Sequence, residues 1–142
     1  MTERSAMSGY SGTPLQKKLG IKPPMTLVVI DAPEEYRSWL GKLPEGVAIA
    51  AASKGALQAV HVFVKTRIAL EKHLTTFRKR LTQTGFVWVS WPKKASKIAT
   101  DVTEDVIREI ALPLGFVDIK VCAVSEVWSG LKLVIRKSAR AA

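Results

Sequence analysis

Two strand-like runs near the end of the chain limit the fold more than any other feature. Residues 116–124 (FVDIKVCAV) and 131–137 (LKLVIRK) are separated by only six residues, 125–130. A parallel pair of strands needs a crossover of about a dozen residues or more, so these two strands must form an antiparallel hairpin. Any sheet that this chain builds therefore ends in a hairpin.

The residues before the hairpin alternate between strand and helix patterns. Residues 25–31 (MTLVVID) form an apolar run that is typical of a strand covered on both faces in a parallel sheet. Apolar spacing predicts helices over 34–40, 67–82 and 102–112 and strands over 47–52, 59–65 and 85–91. The sequence thus predicts an α/β fold of three layers, Rossmann-like, with a mostly parallel sheet of about six strands that ends in the antiparallel hairpin.

Capping residues mark the boundaries of two helices. Thr13 is typical of a helix start and Gly20 of a helix end, which predicts a short helix between them. Asp101 followed by Glu104 is similar to a capping box and predicts the start of the helix over 102–112.

Length and composition indicate a single globular domain. The chain has 142 residues, of which 47% are hydrophobic and 24% charged. We expect one α/β domain over 13–137, a flexible N-terminal segment over 1–12 and a flexible tail over 138–142. No apolar stretch approaches the roughly 20 residues of a membrane helix. The single cysteine, Cys122, argues against a disulfide framework, and these features predict a cytoplasmic protein with no membrane partner.

The formal net charge is +10, which favours anionic partners: a small anionic molecule, an acidic protein or nucleic acid. The basic residues are scattered along the chain, however, and a solvated surface explains most of that spread. Nucleic acid is not favoured, because no basic stripe is interleaved with the tryptophans. An unpaired edge at the second strand or at the hairpin would allow a homodimer.

The alternation of strands and helices closed by an antiparallel hairpin resembles the class I methyltransferase fold. The stretch from Leu27 to Lys137 is similar to a shortened version, in which Gly115 and Phe116 open the hairpin and residues 128–131 (WSGL) begin its return strand. The resemblance implies a last strand that lies antiparallel to the others.

Four motifs also resemble a bacterial domain-of-unknown-function family, number 3052. They are GYSGTPL over 9–15, KKLGI over 17–21, SWPKK over 90–94 and WSGL over 128–131. This resemblance implies a small cytoplasmic bacterial protein and no mechanism.

The loop after the first strand does not have the composition of a nucleotide site. A cofactor at this place usually needs glycines whose amides can approach it. The loop instead holds Asp31, Ala32, Pro33, Glu34 and Glu35, and no acidic residue follows the second strand to bind a ribose. We therefore expect no cofactor, because S-adenosylmethionine and nicotinamide sites both lack their two main features here. S-adenosylmethionine stays open because it carries no phosphate.

The most unusual segment follows the strand over 85–91, at the sheet edge where ligands bind in such folds. It combines an aromatic residue, hydroxyls, lysines and a carboxylate, which are Ser90, Trp91, Lys93, Lys94, Ser96, Lys97 and Asp101. Lysines and hydroxyls together predict an anion-binding site. The alternative is a solvated loop in which Trp91 covers the edge of the sheet.

The sequence indicates no catalytic residues and no metal ligands. Ser11 and Ser129 would need a base, and only His61 and His73 are present, one in mid-strand and one on a helix. Two separated histidines and Cys122 make a poor metal site.

Three functions remain open on the sequence alone. The leading prediction is a non-catalytic binding or regulatory module on a degenerate methyltransferase-like scaffold, with a small anion or a partner protein as its ligand. The alternatives are a basic nucleic-acid-binding protein and an atypical S-adenosylmethionine-dependent transferase.

Overall fold

The computed structural model describes residues 14–140. Its helices and strands are, in chain order, α1 (Leu15–Leu19), β1 (Met25–Ile30), α2 (Tyr36–Leu40), β2 (Val47–Ala50), β3 (Leu57–Phe63), α3 (Arg67–Arg80), β4 (Leu81–Pro92), α4 (Glu104–Leu114), β5 (Phe116–Ala123) and β6 (Trp128–Ile135). Short 3-10 turns span Lys94–Ser96 and Lys137–Ala139. None of the described helices is long and apolar enough to cross a membrane.

The six strands form one mixed sheet in the order β2-β1-β3-β4-β6-β5. Strands β1 to β4 pair in parallel, whereas β6 is antiparallel to both β4 and β5. The predicted fold class is confirmed, including the terminal hairpin. The hairpin inserts its second strand, so β6 lies inside the sheet and β5 forms one edge, with β2 at the other. A dimer through either edge stays a prediction.

Helices cover both faces of the sheet, which gives three layers and two cores. Helices α3 and α4 cover a core that includes Val60, Val62 and Val89. Helices α1 and α2 cover the second core, which includes Phe63 and Trp88. Because successive side chains of a strand point to opposite faces, β3 and β4 supply both cores at once. This explains the continuous apolar runs of the sequence.

Several element boundaries differ from the sequence-based prediction: β2 ends at Ala50, β3 spans Leu57–Phe63, α4 spans Glu104–Leu114 and β6 begins at Trp128. Two further differences have a visible cause. Strand β4 begins at Leu81 and not at residue 85, because Leu81 pairs with Leu57 of β3 before a shift of register. Helix α2 begins at Tyr36 and not at residue 34, since its first amide donates to the carbonyl of Pro33. Glu34 and Glu35 therefore lie in the turn before the helix.

The predicted capping box also has a different arrangement. Thr103 caps α4, and its hydroxyl accepts a hydrogen bond from the amide of Val106 at 3.2 Å. Asp101 instead reaches the start of α3, where its carboxylate accepts from the amide of Arg67 at 2.6 Å. Gly20 ends α1 in the left-handed conformation, as predicted, whereas Thr13 lies outside the described residues.

The two predicted flexible tails, 1–12 and 138–142, lie mostly outside the described residues. The N-terminal segment 1–12 lies outside them, as do residues 141 and 142 of the C-terminal tail. Residues 138–140 are described, and here Ala139 packs against the core while its carbonyl accepts from Arg78 at 3.3 Å.

Helix α1 is tied to the centre of the sheet by one indole. The Nε1 of Trp88 donates to the carbonyl oxygen of Leu19 at 2.9 Å, and Trp88 is completely buried. Gly130 of β6 lies against this ring. A Cβ at position 130 would come within 3.2 Å of the Trp88 ring and 3.0 Å of Val124.

We predict that Thr103→Ala lowers the free energy of unfolding by about 1 kcal/mol, because the first turn of α4 loses its cap. Urea denaturation measures this change. Thr76→Ala serves as the control, since Thr76 is exposed on α3 away from the caps and alanine favours helix. Equal losses in the two variants would contradict the capping assignment.

Candidate functional site

The order of the strands places a candidate site at the carboxyl end of β1. The chain moves from β1 outward to β2 and then returns to β3 on the other side of β1. In open α/β sheets such a reversal leaves a crevice outside the strand ends, where ligands bind. The side chains at the ends of β1 and β3 therefore matter most.

A cleft of about 420 Å³ lies at this place, which we call the switch-point cleft. Its walls come from the β1–α2 loop, the β3–α3 connection and the first residue of β6, and are formed by Asp31, Pro33, Phe63, Val64, Lys65, Thr66, Ala69 and Trp128. Phe63, Val64 and Trp128 are almost completely buried and supply an apolar surface. Asp31 and Lys65 supply one charge of each sign.

The loop from β1 to α2 presents a carboxylate where a cofactor loop would present amides. Asp31 has a φ of 60°, a left-handed conformation that aspartate tolerates better than most residues. Its side chain is 71% exposed, and one oxygen lies 4.0 Å from Nε2 of His73. Pro33 has no amide hydrogen. This loop is therefore suited to a cationic group or a hydroxyl.

A second cleft of about 470 Å³ lies beside the first and shares Trp128 with it. We call it the acidic–aromatic cleft, because its described lining combines two carboxylates and two indoles with smaller residues. The lining residues are Glu35, Trp39, Ile98, Ser125, Glu126, Val127 and Trp128.

The β5–β6 turn that forms one wall of this cleft is held by several hydrogen bonds. The buried hydroxyl of Ser125 accepts from the amides of Val127 and Trp128 at 3.2 and 3.1 Å. The amide of Lys93 donates to the carbonyl of Val127 at 2.7 Å, which joins the turn to the loop after β4. The wall is therefore fixed from two sides.

A buried chain of three polar side chains lies beneath the clefts. The hydroxyl of Tyr36 lies 2.7 Å from Nδ1 of His61, and Nε2 of His61 lies 2.8 Å from Oγ of Ser90. His61 and Ser90 are completely buried. Burial lowers the pKa of His61 from 6.5 to about 3 and raises the pKa of Tyr36 above its usual value. The imidazole is therefore neutral at physiological pH.

Aromatic contacts connect this buried chain to both clefts. The ring of Phe63 stacks on His61 with centroids 4.5 Å apart and meets Trp128 edge-on at 5.0 Å. Tyr36 meets Trp39 edge-on at 6.2 Å. The positions of Trp128 and Trp39 thus depend on packing against Phe63 and Tyr36.

The structure distributes the residues of the predicted anion site over several environments. Ser90 is bonded to His61, and Trp91 is buried in the core beneath α3 and α4. Asp101 is bonded to the amide of Arg67. Ser90 and Trp91 are thus not on the surface that the lysines of the loop present.

The remaining residues of that prediction lie in the loop itself. The hydroxyl of Ser96 donates to the carbonyl of Lys93 at 2.6 Å and accepts from the amide of Ile98 at 3.2 Å. Lys94 and Lys97 are exposed, and Lys93 is half-buried. An anion site at these lysines stays a prediction.

Several arginines donate to backbone carbonyls within the fold. Arg78 binds the carbonyl of Leu114 at 2.7 Å, Arg80 that of Gly55 at 2.9 Å and Arg136 that of Leu112 at 2.9 Å. Arg108 is paired with acidic side chains of α4 and β5. Several of the positive side chains therefore stabilise loops and helix ends of the fold through hydrogen bonds.

Sequence reasoning missed Glu35, Trp39 and the turn that ends at Trp128 as parts of a cleft. The local pattern places Glu35 in the first turn of α2 and assigns neither tryptophan to a site. One signal was available in the sequence: the loop after β1 and the turn after β5 both follow strands whose carboxyl ends lie on the same side of the sheet. Only the inserted position of β6 places Trp128 beside β4, where its ring reaches Phe63 of β3.

No family model matches the chain, and a search of curated proteins found no match. Solved structures do match. Ribosomal protein L11 methylase from Lactobacillus delbrueckii subsp. bulgaricus aligns with a TM-score of 0.52 and 12% identity, over 87% of this chain and 75% of that one. The Methanococcus jannaschii fibrillarin pre-rRNA processing protein aligns with a TM-score of 0.51 and 9% identity, over 90% and 71%. LepI in complex with S-adenosylmethionine aligns with a TM-score of 0.50 and 10% identity, over 86% and 39%.

These similarities show a class I methyltransferase-like Rossmann fold, as the sequence predicted. The resemblance to family 3052 stays a prediction.

We predict that acid destabilises the protein mainly through His61 between pH 7 and pH 5. Its pKa is about 3 in the folded protein and 6.5 for an unperturbed histidine, so the unfolded chain binds the proton first. Stability is therefore fully present above about pH 6.5 and falls as the pH is lowered, by about 2 kcal/mol at pH 5. Chemical denaturation at several pH values measures this slope.

His61→Gln should remove the slope, whatever its effect on stability at pH 7, whereas His73→Gln should retain it. These are the two histidines of the chain. An unchanged slope in His61→Gln would contradict the assignment.

Proposed function

We propose that the protein is a small-molecule-binding module and that its ligand occupies the switch-point cleft. The ligand class that we propose is a zwitterionic or cationic nucleoside of the S-adenosylmethionine type. The observation that carries the proposal is an apolar cleft with one carboxylate and one ammonium at the point where the strand order reverses. The methyltransferase-like scaffold adds support, because one structural neighbour is a complex with S-adenosylmethionine.

The charges around the cleft favour such a ligand over a phosphate. Asp31 would repel a phosphate, and Glu34 and Glu35 lie in the same loop. The start of α3 is already occupied by the carboxylate of Asp101 and the hydroxyl of Thr66. S-adenosylmethionine carries an ammonium, a carboxylate and a sulfonium, so Asp31 and Lys65 can each pair with a group of opposite charge.

The apolar surface of the cleft suits a flat ring. Phe63 and Trp128 present aromatic surface there, and Val64 adds an aliphatic side chain. A volume of about 420 Å³ lies within the usual range of about 300–1,000 Å³ for small-molecule sites. A purine could therefore lie against the aromatic side while its charged groups face the rim.

Binding, and not acid–base catalysis, is the function that the burial of the polar groups supports. His61 and Ser90 are completely buried, and both are already hydrogen-bonded to neighbouring side chains. A general base must come within hydrogen-bond reach of the proton that it removes. We therefore assign the His61 chain a structural role beneath the site and propose no catalytic residue.

Calorimetric titration of the full chain with S-adenosylmethionine, S-adenosylhomocysteine and ADP tests the proposal. We expect S-adenosylmethionine to bind most tightly, S-adenosylhomocysteine less tightly because it lacks the sulfonium charge, and ADP not measurably. A saturating ligand at about 100 times its dissociation constant should also raise stability by about 2.7 kcal/mol.

Asp31→Asn should weaken S-adenosylmethionine binding about tenfold, the loss expected for a charge-assisted hydrogen bond of about 1.5 kcal/mol. Glu45→Gln is the matched control. Glu45 is exposed just before β2, at the amino ends of the parallel strands, whereas the switch-point cleft lies at their carboxyl ends. The double variant Lys94→Ala with Lys97→Ala should also leave this affinity unchanged. If ADP bound more tightly than S-adenosylmethionine, or if the lysine variant lost S-adenosylmethionine binding, the anion site after β4 would be favoured instead. No saturable binding of either adenosyl compound would refute the proposal.

A further inference from the structure

The acidic–aromatic cleft has a composition that differs from the rest of the surface. We infer that it is a binding site for an alkylated ammonium group, such as a quaternary ammonium. The site shares Trp128 with the switch-point cleft, but it does not require the ligand of that cleft to bind.

The first argument is electrostatic. The chain carries a formal net charge of +10, yet the charged residues described in this cleft are Glu35 and Glu126. They come from two different loops, the turn before α2 and the turn between β5 and β6. On a chain of this net charge, a lining whose charged residues are carboxylates gives the cleft a local potential that attracts a cation, and Glu35 is the carboxylate on which we base the test.

The second argument is the aromatic lining. Trp39 and Trp128 both line the cleft, and tryptophan has the ring that binds cations most strongly. Trp39 is half-buried, and Ile98 is 38% exposed beside it. A primary ammonium is strongly hydrated, so indoles and an aliphatic side chain suit an alkylated one better.

The third argument is that the walls are already fixed before a ligand binds. The bonds of Ser125 hold the turn that carries Glu126 and Trp128. The bond between Tyr36 and His61 holds α2, which carries Trp39. A cleft whose walls are held in place in advance loses less entropy when a ligand enters.

The test uses the indole N–H signals of the uniformly ¹⁵N-labelled full chain during titration with choline. The sequence has four tryptophans, so the spectrum offers four reporters in different places. We expect saturable shifts of the Trp39 and Trp128 signals. Trp88, bonded to Leu19, and Trp91, in the other core, should stay unchanged. Absence of shifts at millimolar choline, or equal shifts of all four signals, would overturn the inference.

An uncharged analogue separates charge from shape. 3,3-Dimethylbutan-1-ol has the size and shape of choline without its charge, and we expect it to bind at least about tenfold more weakly. Equal binding of the two compounds would show an apolar pocket and would overturn the ammonium assignment.

Two neighbouring glutamates supply a matched pair of variants. Glu35→Gln should weaken choline binding about fivefold to tenfold, whereas Glu34→Gln should not, because it removes the same charge from a residue that does not line the cleft. Trp39→Leu should weaken binding about tenfold, with an unchanged Trp88 signal as evidence of correct folding. Equal effects of the two glutamate variants would contradict a specific site.

The source of the ammonium group can be a free small molecule or a methylated lysine side chain. A short peptide with one Nε-trimethyllysine, compared with the same peptide carrying unmodified lysine, distinguishes these sources. Tighter binding of the methylated peptide than of choline supports a protein side chain, and tighter binding of choline supports a free ligand. Binding that is equal for methylated and unmodified lysine would refute the preference for alkylated cations.

Discussion

The imidazole of His61 lies in the middle of β3, enclosed on every side, and both of its nitrogens have a partner. A buried polar group without a partner costs about 1–3 kcal/mol, so Tyr36 and Ser90 are required for this histidine to be buried at all. The two bonds join three elements that are distant along the chain, namely α2, β3 and β4. They determine where α2 rests on the sheet. Phe63 then stacks on the imidazole and supports Trp128. The positions of Trp39 and Trp128 in the two clefts therefore depend in part on the hydrogen bonds of this one buried side chain.

Much of the fold could be predicted from the sequence, because the physical signals were local. Continuous apolar runs indicated strands that supply two cores, and the six-residue connection over 125–130 required a hairpin. The assignment of Asp101 failed for a different reason. Its carboxylate caps α3, which lies 34 residues earlier in the chain, and no local pattern indicates such a contact. Strand β4 is longer than predicted because Leu81, which the apolar spacing placed in the helix over 67–82, pairs with Leu57 of β3.

The candidate site was harder to predict than the fold, for reasons of charge and of topology. The sequence has an excess of lysine and arginine, which favours anions as ligands and the lysines after β4 as their site. In the structure, Arg78 and Arg80 bind carbonyl oxygens, while Asp31 and Glu35 line the clefts. Net charge describes the surface as a whole and not the few groups that meet a ligand. Trp128 joins the site only because β6 is inserted beside β4 and not at the edge of the sheet.

Gly130 links the hairpin to the N-terminal helix through a single ring. Any side chain at this position would push against Trp88 and Val124, and β6 cannot move away because it is paired on both sides. Displacement of the indole would break its bond to the carbonyl of Leu19. The loss would then appear at α1, near the other end of the chain. Substitutions at Gly130 and in α1 are therefore expected to be non-additive in their effect on the free energy of unfolding, although the two positions lie far apart in the sequence.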